Sequence, residues 1–349
     1  MLKMGYKPNE DGARELDTML DTIRKSGQGR PYDCILGLSG GVDSSWLAYK
    51  SREWGLRPLL FHVDAGWNSE IAQKNIENIV KKLGYDLFTY VVDWEEIRDL
   101  QRAYLESSLA NQDVPQDHVF FAVLFKKTQE MGIKYWLSGS NLSSESILPR
   151  AWGYSAMDSI QLRAIHKRFG NIPLKSYLTL SFWEYCRFYT SLRFFGGVQS
   201  FAPLDLMPYN VSEAKRILAE EFGWKDYGKK HYESRFTKLF QAYYLPVKFG
   251  YDKRKAHLSS LIVSGEITRK EALAELEKPL YDEASLAEDR AFVLKKLGYT
   301  EGEWKKIMAL PVKTYKDYPN FGRLVRIERL TNRFILQPMF RTVRKVSGK

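Results

Sequence analysis

Only two cysteines, Cys34 and Cys186, occur in 349 residues, and they stand 152 positions apart. That spacing excludes a disulfide framework and gives no metal-ligand pattern, so no zinc is expected. No apolar run approaches the roughly 18 residues a membrane-spanning helix requires, so no membrane insertion is expected. The opening residues, MLKMGYKPNE, lack the continuous apolar stretch of a secretory signal. A reducing, cytoplasmic setting is the expectation that these absences leave. Acidic residues are also in the minority, with 42 Asp and Glu against 53 Lys and Arg, for a formal charge of +11. Such an excess attracts nucleic acid, a nucleotide, a sugar nucleotide or an acidic partner surface alike, so charge alone selects no substrate. Part of it lies in Arg341–Lys349, whose composition is that of a solvated tail. Internal repeats and low-complexity stretches are absent as well.

What is present is a soluble globular composition, 44% hydrophobic and 14% aromatic, in a chain long enough for one large α/β domain with an appendage. From Tyr32 to about Gly139 short apolar runs alternate with longer amphipathic ones, the pattern of a parallel sheet covered by helices. The strands read as 33–38, 57–63, 86–92 and 134–138. The helices between them read as 44–54, 69–83 and 119–131, with a shorter one starting near Trp94. Gly55 and Gly84 stand where helix C-termini favour glycine. Upstream, 10–25 reads as one amphipathic helix. The expected organisation is an N-terminal helix in 1–30, an α/β core in 31–142, and a substrate-binding, mainly helical region in 143–349. Within that last region, 177–195, 211–221 and 267–277 read as helices, with 246–261 joining the last two.

The most informative residues are Ser39-Gly-Gly-Val-Asp-Ser-Ser45, between an apolar strand and a helix. Adjacent glycines let the backbone turn tightly and present N–H groups, and the helix adds its positive N-terminal end, so a phosphate chain can be held there. Ser39, Ser44 and Ser45 supply hydroxyls. A Walker A element is excluded because no Gly-Lys-Ser/Thr follows at the right spacing. The dinucleotide fingerprint is excluded because its third glycine is missing. Glycine-serine turns between strands and helices are common, so a bare Ser-Gly-Gly would carry little; the full string after Ile35-Leu-Gly-Leu38 is much rarer.

That string resembles the PP-loop signature of the N-type ATP pyrophosphatases, whose fold is adenine nucleotide alpha hydrolase-like. The resemblance implies ATP and Mg²⁺, with Leu38, Ser39, Gly40, Gly41, Val42, Asp43, Ser44 and Ser45 at the departing pyrophosphate and Asp43 associated with Mg²⁺. It also implies contacts from Val63 and Asp64 to adenine and ribose, and from Ser138 and Gly139 near the α-phosphate. Those residues end strands, where open α/β sheets bind ligands.

A further run, Phe249-Gly-Tyr-Asp-Lys-Arg-Lys-Ala-His-Leu-Ser259, is dense in charge: four cations, one acid and a histidine fall within 248–257. It reads equally as a solvated loop or as a place from which Lys253 or Arg254 reaches phosphate. Together with the loop, His62-Val-Asp-Ala-Gly-Trp-Asn68 and Ser138-Gly-Ser-Asn141, it resembles the N-acetyl sugar amidotransferases of surface-polysaccharide biosynthesis, the WbpG/PseA type, across about residues 30–280. The resemblance implies conversion of an acetamido group on a nucleotide-linked sugar to an acetamidino group, with ammonia from a separate glutaminase and with Asp43, Lys253 and Arg254 in catalytic roles. The cysteine-rich N-terminal segment of many such sequences has no counterpart before Cys34. For the sugar, Arg150, Arg163, Arg168, Lys175, Trp152 and Tyr154 are candidates, each as readily explained by surface packing. His118 reads as a base for ammonia or as a capping or packing residue. Cys34 and Cys186 read as buried core, which argues against sulfur transfer. The rival enzyme class is a PP-loop tRNA-modifying ligase, favoured by the charge though nucleic acid is not the expected partner. A non-catalytic nucleotide-binding protein is the other alternative.

Overall fold

The computed structural model describes residues 5–149, 152–189, 197–228 and 232–331. All four expected strands form, as β1 (Cys34–Gly37), β2 (Pro58–Asp64), β3 (Leu87–Val91) and β4 (Tyr135–Leu137), and a fifth, β5 (Gln199–Phe201), joins them. They make one sheet in the order β3-β2-β1-β4-β5 with every neighbouring pair parallel. β5 lies well beyond residue 142, so the sheet is not completed within 31–142. Three residues, two of them the polar Gln199 and Ser200, make too short a run to stand out by hydrophobicity.

Parallel neighbours need crossovers, which helices supply. After α1 (Glu10–Ser26), which precedes the first strand, the crossover helices are α2 (Val42–Glu53), α3 (Glu70–Leu83), α4 (Trp94–Ser107), α5 (Val114–Glu130), α6 (Leu142–Glu145), α7 (Ser159–Phe169) and α8 (Phe182–Tyr189), with α9 (Val211–Phe222) after the last strand. A helical C-terminal region follows: α10 (Arg235–Leu239), a π-helical segment (Phe240–Phe249), α11 (Lys253–Ser264), α12 (Arg269–Glu277), α13 (Glu283–Leu297), α14 (Glu301–Ala309) and α15 (Gly322–Thr331). No helix among the described residues is long and apolar enough to cross a membrane.

Alternation along the strands decides the layers. Cys34, Leu36, Leu60, Tyr135 and Leu137 pack with α1, α2, α3 and α9, whereas Ile35, Leu59 and Phe61 pack with α4, α5 and the C-terminal helices. In α1, Leu16, Leu20 and Ile23 form the buried stripe and Asn9 caps the first turn by accepting from the Gly12 amide. Burying each of those side chains is worth about 2 kcal/mol relative to exposure. Both cysteines are buried, and burial pushes the Cys34 thiol pKa upward, so its reactive thiolate is suppressed.

Four segments depart from their sequence reading. Helix α4, read as a shorter one, runs 14 residues, and α5 starts at Val114 rather than 119. Helix α8 starts at Phe182 rather than 177, where Ser181 and Glu184 cap it reciprocally: Ser181 Oγ accepts from the Glu184 amide at 3.2 Å and the Glu184 carboxylate accepts from the Ser181 amide at 2.7 Å. Residues 190–195 of the expected helix lie outside the described residues. The expected connector 246–261 contains most of α11, which Asp252 caps and Gly265, at φ +83°, ends. Its Lys-Arg-Lys start hides the helical period, since only Ala256 and Ser260 are buried.

Candidate active site

The chain leaves β1 toward β2 and β3 on one side, while β4 and β5 lie on the other. The crevice at the carboxyl ends of β1 and β4 is therefore the switch point at which open α/β sheets bind ligands. Ser39–Gly41 leaves β1 there and Ser138–Ser140 leaves β4. A Cβ on Gly139 would stand 3.1 Å from the Ser44 nitrogen and 3.3 Å from the Asp43 carbonyl carbon, so the second loop approaches the N-terminus of α2 only because residue 139 is glycine. Gly41 is the N-cap of α2 and no side chain caps the helix. The Tyr227 phenol oxygen lies beside that helix end, 2.8 Å from where a Cβ on Gly41 would stand.

The loop's hydroxyls bind the loop itself. Ser44 Oγ accepts from the Ser39 amide at 3.2 Å and donates to the Gly41 carbonyl at 3.1 Å, and Ser39 Oγ accepts from the Gly41 amide at 3.2 Å. Tyr209 donates its hydroxyl to Asp43 Oδ1. Burial, with the Asp43 carboxylate beside it, pushes the Tyr209 pKa above the ordinary phenol range; burial and Glu233 do the same to Tyr227. Both phenols stay protonated. His62 bridges the strand ends: Nδ1 meets the Leu38 carbonyl at 2.9 Å and Nε2 meets Asn68 Nδ2 at 3.0 Å. Because a carbonyl only accepts and an amide nitrogen only donates, the ring carries its proton on Nδ1, and burial lowers its pKa and keeps it neutral.

These groups open into a cavity of about 890 Å³ running from the loop to α11 and α12. Leu38, Ser39, Gly41, Val42, Asp43, Ser44, Val63, Ser138, Gly139, Lys253 and Arg254 line it. Gly40, Ser45 and Asp64 do not: Gly40 turns its carbonyl to Asn75 and Trp224, Ser45 is buried in α2, and Asp64 accepts from the Gly66 amide beside a separate cleft of about 230 Å³. Phe120, Phe121 and Trp136 form an apolar wall, with Phe121 and Trp136 edge-to-face at 5.6 Å. Nine carboxylates, Asp43, Asp113, Asp117, Glu145, Asp226, Glu233, Asp252, Glu266 and Glu275, face three fixed cations, Lys215, Lys253 and Arg254, among the described lining residues. The chain's excess of positive charge therefore lies elsewhere. Lys215 is paired with Asp226 at 2.6 Å. Arg254 is held by Asp252 at 2.8 Å and donates to the carbonyls of Glu275 and Lys278 at the end of α12. Lys253 has no polar partner among the described residues.

Much of the cavity's lining is drawn from one stretch of chain, Tyr232 to Leu280. Residues 233–331 match the family model described as LPS biosynthesis protein WbpG-like, C-terminal domain. The matched segment thus contributes to the cavity lining from beside the Ser39–Ser45 loop, where Glu233 Oε1 would stand 4.0 Å from a Cβ on Gly41, out to Lys253, Arg254 and Glu275. The chain is also similar to the tRNA(Ile)-lysidine synthase of Chlamydia pneumoniae, 30% identical over 118 residues, which is 33% of this chain and 34% of that relative. The similarity thus spans about a third of the relative's length. Among solved structures, the NH3-dependent NAD synthetase of Campylobacter jejuni is 15% identical, covering 83% of this chain and 97% of that one with a TM-score of 0.35. The NMN synthetase of Francisella tularensis is 12% identical, covering 86% and 98% with a TM-score of 0.38.

The aromatic and cationic side chains read as sugar contacts are not gathered at the cavity. Trp152 stacks on Tyr251, Tyr154 stacks on Tyr315 and donates to Asp158, Arg163 donates to Thr179, Arg168 lies over the Phe169 and Tyr318 rings, and Lys175 gives its backbone amide to Glu96. Arg150 lies outside the described residues. His118 uses both ring nitrogens for architecture, Nδ1 to the Ala156 carbonyl at 2.8 Å and Nε2 to the Leu180 amide at 3.0 Å. Burial lowers its pKa from 6.5 to about 4. The unfolded chain therefore takes up a proton as pH falls through 6.5 while the folded chain does not until near 4. Folding should lose about 3 kcal/mol across that window from this group. Thermal melts between pH 7 and 4 should show the decline, with a shallower slope in His118→Gln; equal slopes would assign the loss to other groups.

Proposed function

We propose that this chain is an ATP-using enzyme of the PP-loop type that releases AMP and pyrophosphate while replacing the acetamido oxygen of a nucleotide-linked sugar by nitrogen, using ammonia from a separate glutaminase. The observation that carries the reading is the shared cavity, lined both by the PP-loop at the switch point and by residues of the WbpG-like segment. An amide oxygen is a poor leaving group, so ammonia alone displaces it very slowly. In the proposed reaction that oxygen attacks the α-phosphorus and the bond to pyrophosphate breaks. Ammonia then adds to the resulting imidate carbon and AMP departs with the original oxygen, leaving the amidine and a released proton. The protein's part is alignment and stabilisation of departing charge.

In this reading Ser39, Gly41, Val42 and Ser44 hold pyrophosphate, Ser138 and Gly139 approach the α-phosphate, and Lys253 meets the charge that grows on the leaving group. Mg²⁺ fits the residues present. No three His, Cys, Asp or Glu side chains gather into a protein-only metal site among the described residues, but Mg²⁺ is commonly held by one or two carboxylates together with substrate phosphates. Asp43 would hold it, and bound Mg²⁺ would neutralise polyphosphate charge that nine carboxylates otherwise repel. The apolar wall of Phe120, Phe121 and Trp136 is the place for the acceptor sugar.

The test is pyrophosphate release from ATP with ammonium chloride across a panel of UDP- and CMP-linked acetamido sugars, with Asp43→Ala as the blank. Release that depends on one sugar, with a product lighter by the difference between oxygen and NH, is the expected result. A tRNA arm tests the second reading, which the lysidine synthase similarity favours; release there alone would replace the sugar reading. Silence in every arm would remove the proposed reaction.

A further inference from the structure

The phosphate loop is gripped by two side chains that its motif does not contain, Trp224, which also borders the cavity, and Asn75, which does not. The Gly40 carbonyl accepts from the Trp224 indole at 3.0 Å and from Asn75 Nδ2 at 3.2 Å. Both donors are almost fully buried, Trp224 at 3% and Asn75 at 1% exposure. Asn75 of α3 also binds the chain beyond α9 in both directions, donating to the Lys225 carbonyl at 2.9 Å and accepting from the Lys225 amide at 2.8 Å. One amide side chain thus ties the loop to the segment that carries Trp224 and Tyr227.

A trans peptide points its C=O and N–H in opposite directions. The Gly40 carbonyl and the Gly41 amide belong to one such unit, so two buried donors that fix the carbonyl on the protein side also fix the N–H on the cavity side. Gly41 lines the cavity and Gly40 does not. The Gly41 amide donates to Ser39 Oγ at 3.2 Å, a long bond that an incoming phosphate oxygen would replace or share. Residue 40 packs closely against α3, since a Cβ added there would fall 2.4 Å from the Ala72 carbonyl oxygen.

We infer that Asn75 and Trp224 are positioning residues for the polyphosphate: they hold the Gly40–Gly41 peptide so that its N–H faces the departing pyrophosphate. The inference rests on the proposed use of the loop for ATP. Its ligand is the phosphate chain rather than the nucleoside, and this makes it testable apart from the acceptor sugar. Removing one donor should weaken phosphate binding by about tenfold and removing both by more, since each bond to a buried carbonyl is worth up to a factor of that order.

The experiment is calorimetric titration of the full chain with Mg-ATP, Mg-pyrophosphate and adenosine, for wild type, Trp224→Phe, Asn75→Ala and Asn75→Gln, with circular dichroism to check the fold. Trp224→Phe keeps the buried ring and removes only its N–H. The expected result is weaker Mg-ATP and Mg-pyrophosphate binding in Trp224→Phe and Asn75→Ala, unchanged adenosine binding, and partial recovery in Asn75→Gln. Folded Trp224→Phe that binds pyrophosphate as wild type does would overturn the inference, as would an equal loss for adenosine, which would mark general loosening. Wild type that binds neither Mg-ATP nor Mg-pyrophosphate would overturn the use of the loop itself, and the positioning role with it.

Discussion

Gly40→Ala should fold with reduced stability and lose pyrophosphate release by about a hundredfold or more, the scale that an ångström of misplacement costs in an aligned site. Two costs coincide at this position. Its φ of +81° lies in the left-handed region, and the added Cβ would press on the Ala72 carbonyl oxygen at 2.4 Å. The oxygen is backbone in the first turn of α3 and cannot rotate away as a side chain tip could. Relief therefore has to come from the loop, which moves the Gly41 amide and the hydroxyls of Ser39 and Ser44. Gly55 supplies the matched control, with φ +64° and nothing within 4 Å of an added methyl group. Gly55→Ala should cost about 1 kcal/mol of stability from backbone strain alone and leave turnover intact. Initial rates and thermal melts of the two variants separate strain from displacement. Equal turnover in both would mean that the loop tolerates movement and that the assigned phosphate contacts are mistaken.

Lys253→Met should lower kcat by about a hundredfold while shifting the melting temperature little, whereas Arg254→Met should do the reverse. Lys253 faces the cavity without a polar partner among the described residues, so its charge can meet an incoming or developing anion. Removing a single well-placed donor of that kind commonly costs two to three orders of magnitude, roughly, in kcat. The Arg254 guanidinium is already engaged by Asp252 and by the end of α12, with both side chains of the pair only 16% exposed. Its loss should cost about 2 kcal/mol, because it strands the Asp252 carboxylate and the α12 carbonyls together. The split between kcat and KM decides the role of Lys253. A rise in the KM for ATP with kcat unchanged would make it a ground-state binder and remove it from the leaving-group role.

The neighbouring residues Lys253 and Arg254 show the limit of motif reading. Both are cations in one charged run, and nothing in their spacing separates them. The difference arises because α12 ends beside α11, which only the packed chain reveals. His118 is similar: a histidine near a helix start has no visible partners in sequence, yet Ala156 and Leu180 arrive from 38 and 62 residues away. Asn75, Trp224, Tyr209 and Tyr227 leave no signal at all, since none lies in a recognisable pattern and each meets the loop from outside its motif.

The strands β1 to β4, the helices that cross between them and the glycine-rich turn from β1 into α2 were determined by the sequence alone. Apolar alternation, glycine placement and helix caps are local properties, and they act over the same few residues that display them. The edge strand β5, the tether on Gly40, the excess of carboxylates around the cavity and the separation of Lys253 from Arg254 were decided only by the tertiary structure. Each depends on groups far apart in the chain being buried together, where an unmet hydrogen bond or an unpaired charge costs most, and no window of sequence contains both partners.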